Sequence, residues 1–328
     1  MKRREFIVGL GGAAAWPLVG RAQQAERVRR IGVISYEAEN DAGERERRNE
    51  FSARLRELGW IEGRNIQVEY RFAGNDDGLM RTLVRELVAL RPDVIFAGAV
   101  VVPALQAATA TIPIVFAGGA DPVAAGLVAS VARPSGNVTG FSNNVPSIAT
   151  KRLQVLKQIA PGVTHVALMY DPGYSSQSLQ FLAELKAVGA SIGVEVAGAA
   201  VGNADEIENT LAALAGRPGG GLVVYAGGST TAYFDTIIAG AALHGVPAIY
   251  RDRHYVAAGG LASYGADGRE AYRGAATYVD RILRGEKPAS LSVQQPTKYQ
   301  LVINLKTAKA LGLTIPETLL ATADVVIE

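Results

Sequence analysis

The chain carries few residues able to make or break covalent bonds, and their spacing argues against catalysis. Its three histidines, His165, His244 and His254, lie in different segments without metal-ligand spacing. Cysteine is absent, which excludes thiol nucleophiles, thiolate metal sites and disulfides together. No G-x-S-x-G elbow, G-x-x-x-x-G-K-[ST] phosphate loop or H-E-x-x-H helix occurs. Asp76-Asp77 stands in a turn between Gly74 and Gly78, where carboxylates face water by default. The remaining polar residues suit noncovalent capture. Glycines let a solute approach the backbone, hydroxyls and amides fix its polar groups, and aromatic rings cover its apolar part. Such residues recur in Ser35-Tyr36, Gly98-Ala99, Gly118, Asp121, Asp171, Tyr174, Gly228-Ser229, Tyr250-Arg251 and Tyr264. Asp121, before Pro122, suits a helix cap as well as a ligand amine, and Asp171 shares the ambiguity. Tyr36 and Tyr250 are expected to line a cleft. Arg251 could grip a carboxylate with two parallel hydrogen bonds or form a surface ion pair.

All of these residues end or follow short apolar runs, which identifies the elements that must position them. Runs rich in β-branched and aromatic residues at 31–36, 66–72, 94–98 and 114–117 predict one set of strands. A second set falls at 165–170, 193–201, 222–226 and 248–250. Amphipathic stretches at 44–58, 79–90, 175–188, 204–214 and 230–243 predict helices between them. This alternation predicts an α/β fold with parallel sheets covered by helices. In such sheets, ligands bind beyond the carboxyl ends of the strands, where the candidate residues lie. The two sets echo each other. Ile31-Gly-Val-Ile-Ser-Tyr36 has its counterpart in Val166-Ala-Leu-Met-Tyr-Asp171, and Pro113-Ile-Val-Phe116 in Pro247-Ala-Ile-Tyr250. A period this long implies two similar doubly wound lobes rather than a solenoid. The link between them is expected near 136–142, with further crossings near 260–265 and 293–299, together forming a hinge.

The chain begins with an export signature. Lys2-Arg3-Arg4 is a positive segment, residues 6–19 form a short apolar stretch, and Gly20-Arg21-Ala22 supplies a cleavage point near Ala22. Arg3-Arg4-Glu5-Phe6-Ile7 matches the twin-arginine motif, with an ordinary secretory signal as the alternative. Residues 9–14 mimic a G-x-G-x-x-A dinucleotide fingerprint, but without a preceding strand and inside a targeting segment they imply no cofactor. Thirty-three basic residues against 31 acidic ones leave a net charge of +2, which falls to −1 once residues 1–22 are removed. This balance argues against nucleic-acid binding.

Several long words complete the sequence reading. Leu58-Gly-Trp-Ile-Glu-Gly-Arg-Asn-Ile66, Arg133-Pro-Ser-Gly-Asn-Val-Thr-Gly140, Lys151-Arg-Leu153 and Tyr278-Val-Asp-Arg-Ile-Leu-Arg-Gly-Glu-Lys-Pro288 resemble the ABC transporter substrate-binding family that includes tryptophan- and tyrosine-type binding proteins. The resemblance runs from about Arg30 to the end. It implies a non-enzymatic periplasmic receptor of the type I periplasmic-binding fold, monomeric and not membrane-spanning when mature. Such a receptor delivers a small molecule to permease and ATPase subunits at the inner membrane. The lobes implied are 28–139 plus about 266–295, and 140–265 plus about 296–328. Two departures matter. Similar proteins carry a small hydroxyl residue where this chain has Gly98-Ala99-Val100, and an Asp-Pro-Phe-Phe segment where it has Gly227-Gly228-Ser229-Thr230. These changes turn the expected ligand away from an aromatic amino acid and toward another amino acid, small carboxylate or amide. A ligand-sensing domain serving a signalling partner and a small-molecule α/β enzyme are the alternative functions.

Overall fold

The computed structural model describes residues 27–119, 121–134, 136–143, 147–225 and 227–328, with the backbone alone described at 147 and 174–177. The export signature and its cleavage point lie outside the described residues. The first sheet is built from β1 (Arg29–Ser35), β2 (Ile66–Phe72), β3 (Val94–Gly98), β4 (Ile114–Ala117) and β5 (Val138–Phe141). These strands are parallel and ordered β2-β1-β3-β4-β5. The apolar runs fix the register by burying both faces of β1 and β3, as with Ile31 opposite Val94 and Val33 opposite Phe96. Helix α1 (Ala42–Glu57) starts where the Asp41 carboxylate accepts the Glu44 amide at 2.6 Å. It covers one face of the sheet, where Phe51 stacks on Phe96 with ring centroids 4.3 Å apart. The opposite face is covered by α2 (Asp77–Ala89) and α3 (Val102–Ala108) through Val84, Leu87 and Leu105. Each such fully buried side chain contributes about 1.5–3 kcal/mol relative to exposure.

The second half repeats the plan. Helix α4 (Ser147–Ile159) leads to β6 (His165–Tyr170), α5 (Ser175–Ile192), β7 (Glu195–Ala200), α6 (Ala204–Ala215) and β8 (Gly220–Val224). Short α7 (Ser229–Ala232) and α8 (Phe234–Leu243) precede β9 (Ala248–Tyr250), α9 (Arg253–Ala257) and β10 (Ala262–Ala266). The order β7-β6-β8-β9-β10 reproduces that of the first sheet, so the sequence echoes map β1 onto β6 and β4 onto β9. Strand β11 (Tyr299–Asn304) adds antiparallel to β10, and β12 (Val325–Ile327) extends the edge. Where the pattern predicted one helix over 230–243, Tyr233 leaves helical geometry and separates α7 from α8.

The chain passes between the sheets three times: after Phe141, at Asp267 before α10 (Gly268–Leu283), and between Gln294 and Tyr299. Helix α10 packs on α1 and on β3 to β5, burying Tyr272, Ala275 and Val279 in the first core. Residues 138–141, expected in the link, instead complete the first sheet beside β4. The turn residues Arg133-Pro-Ser-Gly-Asn137 just before it made this segment read as a break, and within it stands Gly140. Its role is close approach, since a Cβ there would lie 2.2 Å from the Phe116 carbonyl oxygen.

Candidate ligand-binding site

A cavity of about 740 Å³ lies between the two sheets at the carboxyl ends of their strands. The first lobe contributes Tyr36 and Glu37 after β1, Gly98-Ala99 after β3, Gly118-Gly119 after β4 and Asn143 after β5. The second contributes Asp171 after β6, Tyr225 to Gly228 after β8 apart from residue 226, Arg251 to His254 after β9, and Gly265 in β10. Helices α4 and α5 add Arg152 and Phe181.

Eight of the residues singled out from sequence stand on this wall: Tyr36, Gly98, Ala99, Gly118, Asp121, Asp171, Gly228 and Arg251. Ser35, Tyr250, Tyr264 and Ser229 do not, and strand alternation accounts for the first three. Ser35 precedes Tyr36, lies buried and donates to Glu37 at 2.8 Å. Tyr250 precedes Arg251, is 1% exposed, and stacks on Tyr255 in the second lobe's core, so it plugs the sheet end instead of lining the cleft. Tyr264 stacks on Tyr299, while its neighbours Ser263 and Gly265 face the cavity. Ser229 spends its hydroxyl on the Val201 carbonyl. The Tyr174 side chain lies outside the described part.

Both ambiguous aspartates act as caps. Asp121 accepts the amides of Val123 at 2.8 Å and Ala124 at 3.2 Å. Asp171 accepts those of Gly173 and Ser229, each at 2.6 Å. Gly228 makes the second contact possible: its φ of +51° suits glycine, and a Cβ would fall 2.4 Å from an Asp171 carboxylate oxygen. The Tyr36 phenol donates to the Asn75 carbonyl and to Asp77, and burial together with Asp77 raises its pKa, keeping it protonated.

Charge on the wall is distributed unevenly. In the first lobe Arg47 donates to Glu44 at 3.2 Å, Glu44 also accepts the Tyr272 hydroxyl at 2.7 Å, and Glu37 lies 4.0 Å from Arg47. Burial pushes the Glu44 carboxyl up to about 7 against the pull of Arg47 and Tyr272. In the second lobe Arg152 is 4% exposed. Its Nε donates to the Tyr264 carbonyl at 2.8 Å and its guanidinium lies 5.6 Å from the Phe181 ring centroid, but no carboxylate among the described residues pairs with it. Burial, reinforced by the charge of Arg251, lowers its pKa to about 10. Arg251 itself pairs with Asp252 at 3.2 Å. Burial would raise the Asp252 pKa, but the His254 hydrogen bond and the Arg251 charge outweigh it and hold the carboxyl below its usual range.

At the rim, His254 of α9 meets Glu46 of α1, a contact from one lobe to the other. Glu46 also takes Arg269 at 3.3 Å. The Asp252 hydrogen bond raises the His254 pKa against the opposing effect of burial. Asn143 presents a buried amide oxygen with no partner among the described residues. No group of three or more His, Asp or Glu among the described residues could hold a metal, and no helix among them is long and apolar enough to cross a membrane.

The sequence reading missed Arg152, Asn143, Phe181 and Tyr225. A signal for Arg152 existed: it stands in register with Ile148, Leu156 and Ile159, an arginine inside the apolar stripe of α4.

Comparisons with known proteins agree with this geometry. The family model of the ABC transporter substrate binding protein matches residues 33–327. The chain is 26% identical over 272 residues to the Tyrosine-binding protein of Clostridioides difficile (strain R20291), covering 80% of this chain and 75% of that one. An ABC domain from Streptococcus pneumonia in complex with L-Trp is 26% identical and superposes with a TM-score of 0.83, covering 91% of this chain and 99% of that one. The ligand-free, open structure of a substrate-binding protein with adhesive properties from Clostridium difficile is 25% identical, with a TM-score of 0.69 over 92% of this chain and 99% of that one. Two parallel-sheet lobes with these neighbours constitute a type I periplasmic-binding fold.

Proposed function

Since the chain belongs to the ABC transporter substrate-binding protein family, whose members bind solutes rather than transform them, we propose that it is the receptor of an ABC importer. It captures a small carboxylate or amino acid between its lobes and presents the closed form to permease and ATPase subunits. The observation that carries this reading is the 740 Å³ cavity bounded by strand-end loops of both lobes. Export by the twin-arginine or general secretory route, cleavage near Ala22 and monomeric action in the periplasm belong to the same proposal. So does a division into two lobes that hinge at the three crossings.

Two features support closure around a solute. At nearly equal identity, the chain superposes better on the L-Trp complex than on the open, ligand-free protein. His254 and Glu46 also meet across the mouth. Ligand binding then selects the closed state from an open-closed equilibrium. The tyrosine and L-Trp relatives support an amino acid as ligand. Gly227 to Thr230 removes aromatic rings from one loop, but Phe181 and Tyr225 stand on the wall with centroids 5.3 Å apart and supply an apolar surface.

A thermal-shift panel of amino acids, small carboxylates and amides tests the proposal. A ligand present at a hundred times its Kd stabilises the native state by about 2.7 kcal/mol, a readily measured rise in Tm. Uniform silence across the panel would contradict it, and turnover of a bound compound would favour an enzyme.

A further inference from the structure

We propose that the cleft recognises its ligand as an anion, with the ligand carboxylate docking on Arg152 of α4. The inference rests on the receptor reading and adds the chemical class and the residue. A guanidinium stays charged at any pH a protein meets, so one withdrawn from water requires either a counter-charge or a compensating ligand. Arg152 lines the cavity at 4% exposure without a carboxylate partner among the described residues. Its contacts with Tyr264 and Phe181 orient it without neutralising it. The Tyr264 carbonyl takes Nε, and the Phe181 ring lies beneath the guanidinium, which leaves the terminal nitrogens for a partner.

Arg251, which the sequence offered either for this role or for an ion pair, is paired with Asp252. Arg47 is paired with Glu44. Arg251 therefore adds positive potential beside Arg152 without competing for the anion's first contact, and its repulsion of Arg152 is relieved when an anion binds. The neighbouring Phe181 and Tyr225 make the preferred ligand a carboxylate with an apolar or aromatic body. The Asp171 carboxylate, also on the cavity wall, is consumed by backbone amides, so it offers no equivalent free site for a cation.

Isothermal titration of matched pairs tests this: L-tryptophan against L-tryptophanamide, L-phenylalanine against L-phenylalaninamide, and phenylacetate against phenylacetamide. Each pair is measured on the mature protein and on the Arg152→Gln and Arg152→Lys variants, with circular dichroism confirming their fold. A charge-assisted contact predicts carboxylates preferred over their amides by roughly 10- to 100-fold in the wild type. Arg152→Gln should remove that preference while leaving amide affinities within about twofold, and Arg152→Lys should retain part of it because it keeps the charge but not the planar fork. Equal binding of acid and amide, or an undiminished preference in folded Arg152→Gln, overturns the anion site while leaving a solute receptor. Failure of every compound to bind overturns the receptor reading and the anion site with it.

Discussion

Two arginines look into one cavity from opposite lobes and are treated oppositely. Arg47, held between Glu44, Glu37 and the first lobe's helices, has its charge answered within the protein. Arg152 has a carbonyl and a ring but, among the described residues, no acid. Burial tends to lower the pKa of both. Around Arg47 the nearby tyrosine and carboxylates reverse that effect, whereas beside Arg152 the Arg251 charge deepens it. The sheets behind them share one strand order, so the scaffold does not explain the contrast. It teaches that one wall is complete as folded, while the other is left for a solute to complete.

Substitutions on the two walls should therefore act on different quantities. The largest effect is expected from Glu44→Ala, which takes away the nearer of the two carboxylates beside Arg47 and the acceptor of the Tyr272 hydroxyl. It should cost about 3–5 kcal/mol in chemical denaturation, and a loss below about 1 kcal/mol would show that Arg47 is not held as described. Gly228→Ala should cost about 1–3 kcal/mol, because its positive φ and the Asp171 carboxylate both resist a Cβ. It should also weaken binding by distorting that loop, as titration would detect.

Arg152→Met inverts the pattern. Removing an unanswered buried charge should leave the ligand-free protein as stable as before or about 1 kcal/mol more stable, while shrinking the rise in Tm that a carboxylate ligand induces. Marked destabilisation would mean that Arg152 serves the fold. The smallest effect concerns the rim. The raised His254 pKa means that its bridge to Glu46 is fully charged below the ordinary imidazole value of 6.5 and fades as pH rises through the folded value. Both groups are partly exposed, so affinity should fall only a few-fold between pH 6 and pH 9, and His254→Gln should flatten that profile.

Much of this architecture was legible in the residues. β-Branched runs marked β1 to β4 and β6 to β9, and the paired words at Ile31 and Val166 announced a repeated plan. Strand β5 was hidden because four residues including Gly140 carry too little pattern beside a turn. The cleft was legible as a region, because ligands gather at strand ends, but not in its detailed facing. Ser35 and Tyr36, or Tyr250 and Arg251, are equally plausible by type, and only the phase of the pleat decides which looks inward. Arg152 was not legible from the strand-end loops, since its meaning comes from standing within an apolar helical stripe with no acid among the described residues to meet it.

Small-angle X-ray scattering with and without the ligand found by titration tests the central claim most directly. Capture between two hinged lobes predicts a saturable fall in the radius of gyration that follows the binding curve, with the solute recovered unchanged. Identical scattering at saturating ligand would contradict closure around a solute.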